Sequence, residues 1–473
     1  MGLFDFWRKE EKKEVTSACF GVMDFFPLKK SNQFLIIGHL KGRMEVGAVL
    51  QLCNVDEGLD SLGEVIVEKL SNGYQEAQFL IDEPIVHLFV NASDALAHLK
   101  KGSVLHTKDI DERQRLSSYT DALYRVFVKG QAGDMSNEDY LCASLDDSIE
   151  ILRLFLWECR HHQEEESEED YQSNLRKIAH LEGVIKDKLL DVESIFVVFS
   201  QRTGEPYMFS TTVDRGESGY LCTDPQIQVL TRRWYTHYKE AIDQQPNTEV
   251  RLIESGENRE GIKNFLGSSF YLNGAMGVIL NSEHTCIKAQ NLVEAPDFSD
   301  VPEIQIPITN PDVVRWLLLM GQMGKPETKD EELVYGLYYG FLSREIPKAT
   351  FLIPMQPDKN FPVKNDGAAE TVLQGGASFN LATRKGKEER DAISIFTDWK
   401  RLRMVFDDEW NGMITTVDDF IEQHDFAINA TQYLDAGMYI SKSAYDDMKK
   451  IWGDKPIDHI KLKMKQMNEK KHT

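Results

Sequence analysis

Two stretches in the back two-thirds of this 473-residue chain carry the same order of signals. Each has a Thr-Asp step, Thr223-Asp224 and Thr397-Asp398, followed by a helix-compatible run. Each then has a short apolar run ending on asparagine, Val278-Ile-Leu-Asn281 and Phe426-Ala-Ile-Asn429. Self-similarity over this distance points to an internal duplication, with the longer inner segment in the first copy. Aspartate and threonine are helix-capping residues, which accept hydrogen bonds from the free N–H groups of a first turn. The spacing therefore predicts helices from Pro225 through Ala241 and from Trp399, the first with proline in its opening turn. Asn281 and Asn429 read as turn formers at strand ends.

The flanking segments fit two α+β modules. Amphipathic spacing at Leu145, Ile149, Leu152, Leu156 and Cys159 predicts a helix, and Leu175 to Leu190 predicts another. Between them lies the charge run His161 to Asp170, an exposed turn. Strands are expected at Ile195 to Phe199, Val250 to Ile253 and Gly277 to Asn281, with a short helix near Gly261 to Phe265. In the second module helices are expected at Val313 to Met320, Glu331 to Leu342 and Val417 to Ile421. Strands are expected at Thr350 to Ile353, Ser378 to Ala382 and Phe426 to Asn429.

The second module resembles the SseB family, specifically its amino-terminal domain. Phe351-Leu-Ile-Pro354, Phe396-Thr-Asp398 and Ala427-Ile-Asn429 carry the resemblance, over about residues 310–448. A diverged copy spans about 141–295, with Cys222 in place of the Phe and Val198 in place of the Pro. The resemblance implies an α+β module and supplies no catalytic residues.

Residues 15–108 read as a small β-barrel. Phe34 to Ile37, Val46 to Leu52, Val65 to Val67 and Ile85 to Val90 are short apolar runs separated by Gly38, Gly42 and Gly47. The segment closes with Lys100 to Leu105. Gly42 and Gly47, Ala77 and Asp82, and Lys101-Gly-Ser-Val104 together resemble the second domain of translation GTPases of the elongation factor Tu type. That resemblance implies a barrel and, by analogy, a visit to the translation apparatus or ribosome. It does not bring nucleotide chemistry. No G-x-x-x-x-G-K-[ST] string that would cradle phosphates occurs in the chain, and no Asn-Lys-x-Asp guanine reader.

The fold class expected is thus multidomain: a tail at 1–14, a barrel at 15–108, modules at 141–295 and 310–448, and a basic tail at 449–473. With 41% hydrophobic and 28% charged residues the composition is that of a globular protein. The net charge of −23 repels phosphates and anionic lipid, so DNA is not an expected partner and a basic protein surface is. Cys19, Cys53, Cys142, Cys159, Cys222 and Cys286 form no C-x-x-C pair and read as thiols in a reducing, cytoplasmic compartment. No apolar run reaches the ~18 residues of a membrane span. Leu3, Phe4, Phe6 and Trp7 suit an amphipathic turn at an interface, and docking on the protein itself is the expectation adopted. Lys461, Lys463, Lys465, Lys470 and Lys471 suit phosphate contact, and a solvated or self-docking end is the expectation adopted.

Catalytic signatures are missing from the linear sequence. There is no G-x-S-x-G elbow, no H-E-x-x-H and no G-x-G-x-x-G after a strand; Gly375-Gly376 lies in a polar loop. His161 and His162 beside acids lack the fixed geometry of a metal centre. No catalytic, cofactor-binding or metal-ligating residue is assigned. The functional expectation is a cytoplasmic, non-catalytic interaction or regulatory protein; a translation-associated factor and an enzyme assembled from distant residues are the alternatives.

Overall fold

A computed structural model describes residues 17–29, 31–133, 135–161, 167–216, 219–282, 284–302, 305–357, 379–385 and 390–453. The tail at 1–14, residues 454–473 and the Gly375-Gly376 loop lie outside the described residues, as do His162 and residues 163–166 of the acidic run. The chain forms two compact units, divided between Leu189 and Leu190.

The first unit begins with β1 (Ala18–Leu28), β2 (Gln33–Glu45), β3 (Val49–Cys53) and β4 (Gly63–Ser71). β5 (Glu76–Ala77), β6 (Phe79–Ile81), β7 (Val86–Asn91) and β8 (Val104–His106) follow. Six strands close on themselves in the order β1-β8-β3-β4-β7-β2, with β2 pairing back to β1. Closure removes the sheet edges, and alternate residues fill the interior. Phe20, Val22, Ile36, Leu50, Val65, Leu88 and Leu105 are buried there. Gly42 is required at its position. Its φ is +82°, and a Cβ there would lie 2.1 Å from the Ser17 carbonyl. The barrel expected from sequence is thus present.

Helices α1 (Glu112–Leu123), α2 (Asn137–Cys142), α3 (Leu145–His161) and α4 (Glu168–Asp191) follow the barrel. Asp111 caps α1 by accepting from the Gln114 N–H while the Gln114 side chain reaches back. Five residues after α1, Tyr124–Val128, widen into a π-helical turn.

The second unit holds a six-stranded sheet, a two-stranded hairpin, and a three- and a four-stranded sheet that a single bridge joins into one layer. The first is built from β9 (Ser194–Ser200), β10 (Met208–Phe209), β13 (Gln226–Leu230), β14 (Thr248–Glu254), β15 (Gly277–Leu280) and β16 (Cys286–Lys288). A small hairpin of β11 (Thr212–Asp214) and β12 (Tyr220–Cys222) interrupts it. Its order is β14-β9-β13-β15-β16. α5 (Arg232–Asp243), α6 (Gly261–Tyr271) and α7 (Ala289–Leu292) complete this part. Helices α8 (Pro311–Met323) and α9 (Lys329–Glu345) precede β17 (Phe351–Pro357), β18 (Phe379–Leu381), β19 (Thr383–Lys385) and β20 (Asp391–Ile395). Then come α10 (Trp399–Arg403), β21 (Asn411–Thr415), β22 (Asp425–Ile428), β23 (Met438–Ile440) and α11 (Lys442–Gly453).

β17 pairs antiparallel with β21, β20 parallel with β22, and β22 antiparallel with β23. The Leu352–Phe396 bridge joins β17 to the end of β20. In the first sheet β9 pairs antiparallel with β14, β13 parallel with β15, and β15 antiparallel with β16. The Phe196–Leu230 pair joins β9 to the end of β13.

Two expectations fail. Gly38 and Gly42, read as turns between barrel strands, lie inside β2 and pair with Val22 and Ala18, and only Gly47 falls at a turn. Thr223-Asp224 does not open a helix. Pro225 precedes β13, in which Ile227 and Val229 alternate inward, and α5 starts only after Thr231. Alternation with β-branched residues outweighed the proline-and-cap signal. Thr223 instead ties a loop, its Oγ1 accepting from the Thr211 N–H at 2.8 Å.

Candidate functional site

The most concentrated chemistry of the second unit lies where its two parts meet. Asp398 ends the segment after β20 and caps α10, accepting from the Arg401 N–H at 3.0 Å. Because α10 turns back over its cap, the Arg401 guanidinium reaches the same carboxylate, Nη1 to Oδ2 at 2.6 Å. Its Nη2 donates to Asn273 Oδ1 at 2.8 Å and to Glu205 Oε1 at 3.4 Å. Glu205 also accepts from Lys400 Nζ at 2.9 and 3.1 Å and from Asn273 Nδ2 at 2.9 Å. Asp398 and Arg401 are 1% and 2% exposed and Glu205 6%. Charges this deep persist only when paired and hydrogen-bonded.

Behind this cluster the Asn429 side chain bridges the ends of β20 and β22. Its Oδ1 accepts from the Thr397 N–H at 3.0 Å, and its Nδ2 donates to Thr397 Oγ1 at 3.0 Å. Thr397 Oγ1 in turn donates to Asp398 Oδ2 at 2.8 Å. In the other sheet Asn281 Oδ1 accepts from the Thr231 N–H at 2.9 Å. Both asparagines have positive φ, 58° and 49°. They are turn formers, as the sequence predicts, and they also tie two parallel strand ends together.

The loop after β9 seals the joint. Gly204, at φ +69°, lies under the Tyr433 ring, where a Cβ would come within 2.5 Å. Arg202 pairs with Asp435 at 3.0 Å. A recess of about 10 Å³ remains beside Glu205, Arg401, Asn429, Thr431 and Tyr433, which is room for one water. An organic substrate has no place there.

The first unit carries ionic clusters of the same kind. Buried Asp147 accepts from Tyr119 Oη at 3.0 Å and pairs with Lys100, which also reaches Asp56 at 2.8 Å. Burial lowers the affinity of Lys100 for its proton, and Asp147 and Asp56 outweigh that, so its pKa is raised. Burial, reinforced by Asp147, pushes the Tyr119 hydroxyl well up. Lys188 goes the other way, down, through burial; it donates to the Tyr140 carbonyl and Ser148 Oγ. An open groove of about 440 Å³ runs past Cys19, Lys41, Arg113 and Gln114. Burial pushes the Cys19 thiol up, the wrong direction for a nucleophile.

The residues weighed from sequence fall as follows. Asp398 is a cap with an added ionic role; Asp224 is exposed and caps nothing. His161 stacks on Trp157 at 4.9 Å and its Nδ1 donates to the Trp157 carbonyl at 2.9 Å. Among the described residues no group of three or more His, Cys, Asp or Glu side chains is placed to hold a metal ion. Among them also, no helix is long and apolar enough to cross a membrane. Glu205, Asn273 and Arg401 were not singled out by sequence reasoning.

No family model matches the chain, and no curated protein matches it. Among solved structures it is similar to translation elongation factor SelB from Methanococcus maripaludis. The identity is 16%, over 20% of each chain, with a TM-score of 0.17. It is also similar to GDP-bound aIF5B from Aeropyrum pernix, at 9% identity over 54% of this chain and 59% of that one, with a TM-score of 0.17. The chain therefore spans less than two thirds of either protein.

Proposed function

We propose that this chain is a non-catalytic interaction protein whose second unit is a tandem pair of SseB-like α+β modules locked by buried ions. The pair reading is supported by strand order: β14-β9-β13-β15-β16 in the six-stranded sheet is matched by β21-β17 and β20-β22-β23 once the Leu352–Phe396 bridge joins the three- and four-stranded sheets. Leu230 then corresponds to Phe396, Thr231 to Thr397, Asn281 to Asn429 and Val198 to Pro354. The SseB-like reading of the second module is supported by Phe351-Leu-Ile-Pro354 falling on β17 and Ala427-Ile-Asn429 on β22 and its end.

The observation that carries the functional reading is the engagement of the buried charges at the joint. Asp398, Arg401 and Glu205 hold one another and Asn273, and the space beside them admits one water. An acid or base at work needs a partner atom of the substrate within reach. Here structural partners take those positions. Affinity capture with the full chain as bait tests the reading. We expect a reproducible protein partner whose recovery falls at least fivefold when the joint is disrupted by Glu205→Gln with Arg401→Met. Recovery of nothing above background would remove it. So would a turnover activity abolished by Asp398→Asn in a folded chain.

A further inference from the structure

Sheet edges are the places where a folded protein can pair with another backbone, and natural proteins guard them with charge, proline or bulges. β14, one edge of the second unit, carries Glu249, Arg251 and Glu254 along its seven residues. β21, at the corresponding edge of the other sheet, reads Asn-Gly-Met-Ile-Thr and carries no charge, proline or bulge. Among the described residues β21 pairs with β17 alone.

The ladder fixes which backbone groups of β21 face outward. Leu352 exchanges both its backbone hydrogen bonds with Phe396, at 2.9 Å each, on the side away from β21. Ile414 stands directly opposite Leu352. In an antiparallel pair such a position is not hydrogen-bonded, so the N–H and C=O of Ile414 point to the free edge. The same alternation turns those of Gly412 outward, opposite Pro354, which has no N–H to offer.

The side chains fit an added strand as well. Ile414 is 54% exposed, and Met404 and Val405 after α10 are 44% and 38% exposed. α10 nearby has only five residues, where α5 has twelve. Acids bracket the strand: Asp407, Asp408 and Glu409 before it, Asp418 and Asp419 after it. Among the described residues the cations paired with them are Arg403, with Asp408, and Lys449, with Asp418, which leaves a negative excess there.

We propose that β21 is a docking edge for an extended peptide with an apolar, alternating centre and basic flanks, added antiparallel or parallel as a further strand. Backbone pairing supplies affinity in this mode, and side-chain contacts and flanking charge supply selectivity. The proposal rests on the reading of the chain as an interaction protein and names the surface and partner chemistry.

The test uses the full chain and a labelled peptide, Lys-Lys-Val-Thr-Val-Thr-Val-Lys-Lys, followed by fluorescence anisotropy. Saturable binding is expected, weakened at least tenfold when glutamate replaces the lysines, and lost when alternate peptide nitrogens are methylated. Ile414→Pro, which deletes the outward donor, and Ile414→Lys, which guards the edge without touching the ladder to β17, should each weaken it at least tenfold. Binding indifferent to Ile414→Lys, or equal for both flanking charges, would overturn the proposal. An Ile414-dependent dimer in sedimentation without peptide binding would do so too, since the occupant would then be a second copy. If the peptide fails while the full chain still captures its protein partner, the edge is wrong and the interaction reading stands; failure of both removes both.

Discussion

His39 shows how one side chain sets a pH response. It lies on β2, 2% exposed, with Nε2 3.2 Å from Asp121 Oδ2. Burial pushes its pKa down to about 4; Asp121 pulls it up, and Lys41 and Arg125 add to the fall. The unfolded chain, with an ordinary imidazole near 6.5, therefore binds more protons than the fold between those values. Stability is full above about pH 6.5 and declines as pH falls toward 4, by roughly 2–3 kcal/mol from this group. His39→Phe should flatten that decline, measured as denaturant midpoint against pH. A slope unchanged in the variant would place the proton uptake elsewhere. Glu205 and Arg401 are the residues on which the second unit turns, and neither is conspicuous in a chain with 77 acids. Their partners lie 68 and 128 residues away, a separation no local spacing reveals.

At the scale of elements, Asn429 ends β22 in a left-handed conformation and ties it to β20. Asn429→Ala adds strain at positive φ to the loss of two buried hydrogen bonds. Asn429→Gly loses only the bonds. Alanine should thus destabilise more than glycine, by about 1 kcal/mol, with both variants weakened in chemical denaturation. Equal costs would mean that the backbone there relaxes. The barrel was legible from its short alternating apolar runs, although Gly38 and Gly42 proved to lie inside β2 and only Gly47 at a turn, and the Asp398 cap was legible because its helix starts at once. The helix placed at Pro225 was misread because proline before a strand and proline at a helix start look alike in sequence. Inward Ile227 and Val229 decide for the strand. The outward face of β21 was not legible, since it depends on which strand lies on the far side of Leu352.

The whole molecule divides into a closed barrel with its helices and a second unit with a six-stranded sheet and a bridged pair of three- and four-stranded sheets. Each packs an ordinary apolar core. Glu205, Asn273, Asp398, Lys400 and Arg401 form a polar joint between the two parts of the second unit, beside the Met208–Gln322, Gly274–Arg315 and Arg202–Asp435 contacts. Removing one partner from such a cluster leaves the others buried without compensation, which costs about 3–5 kcal/mol. Hydrogen–deuterium exchange of the full chain, wild type against Arg401→Met, reads this directly. Protection should fall together in the loop at 201–206, at 397–403 and at 429–436, with the strands of the barrel unchanged. Loss confined to 397–403, or no loss at all, would contradict a second unit held together by its buried ions.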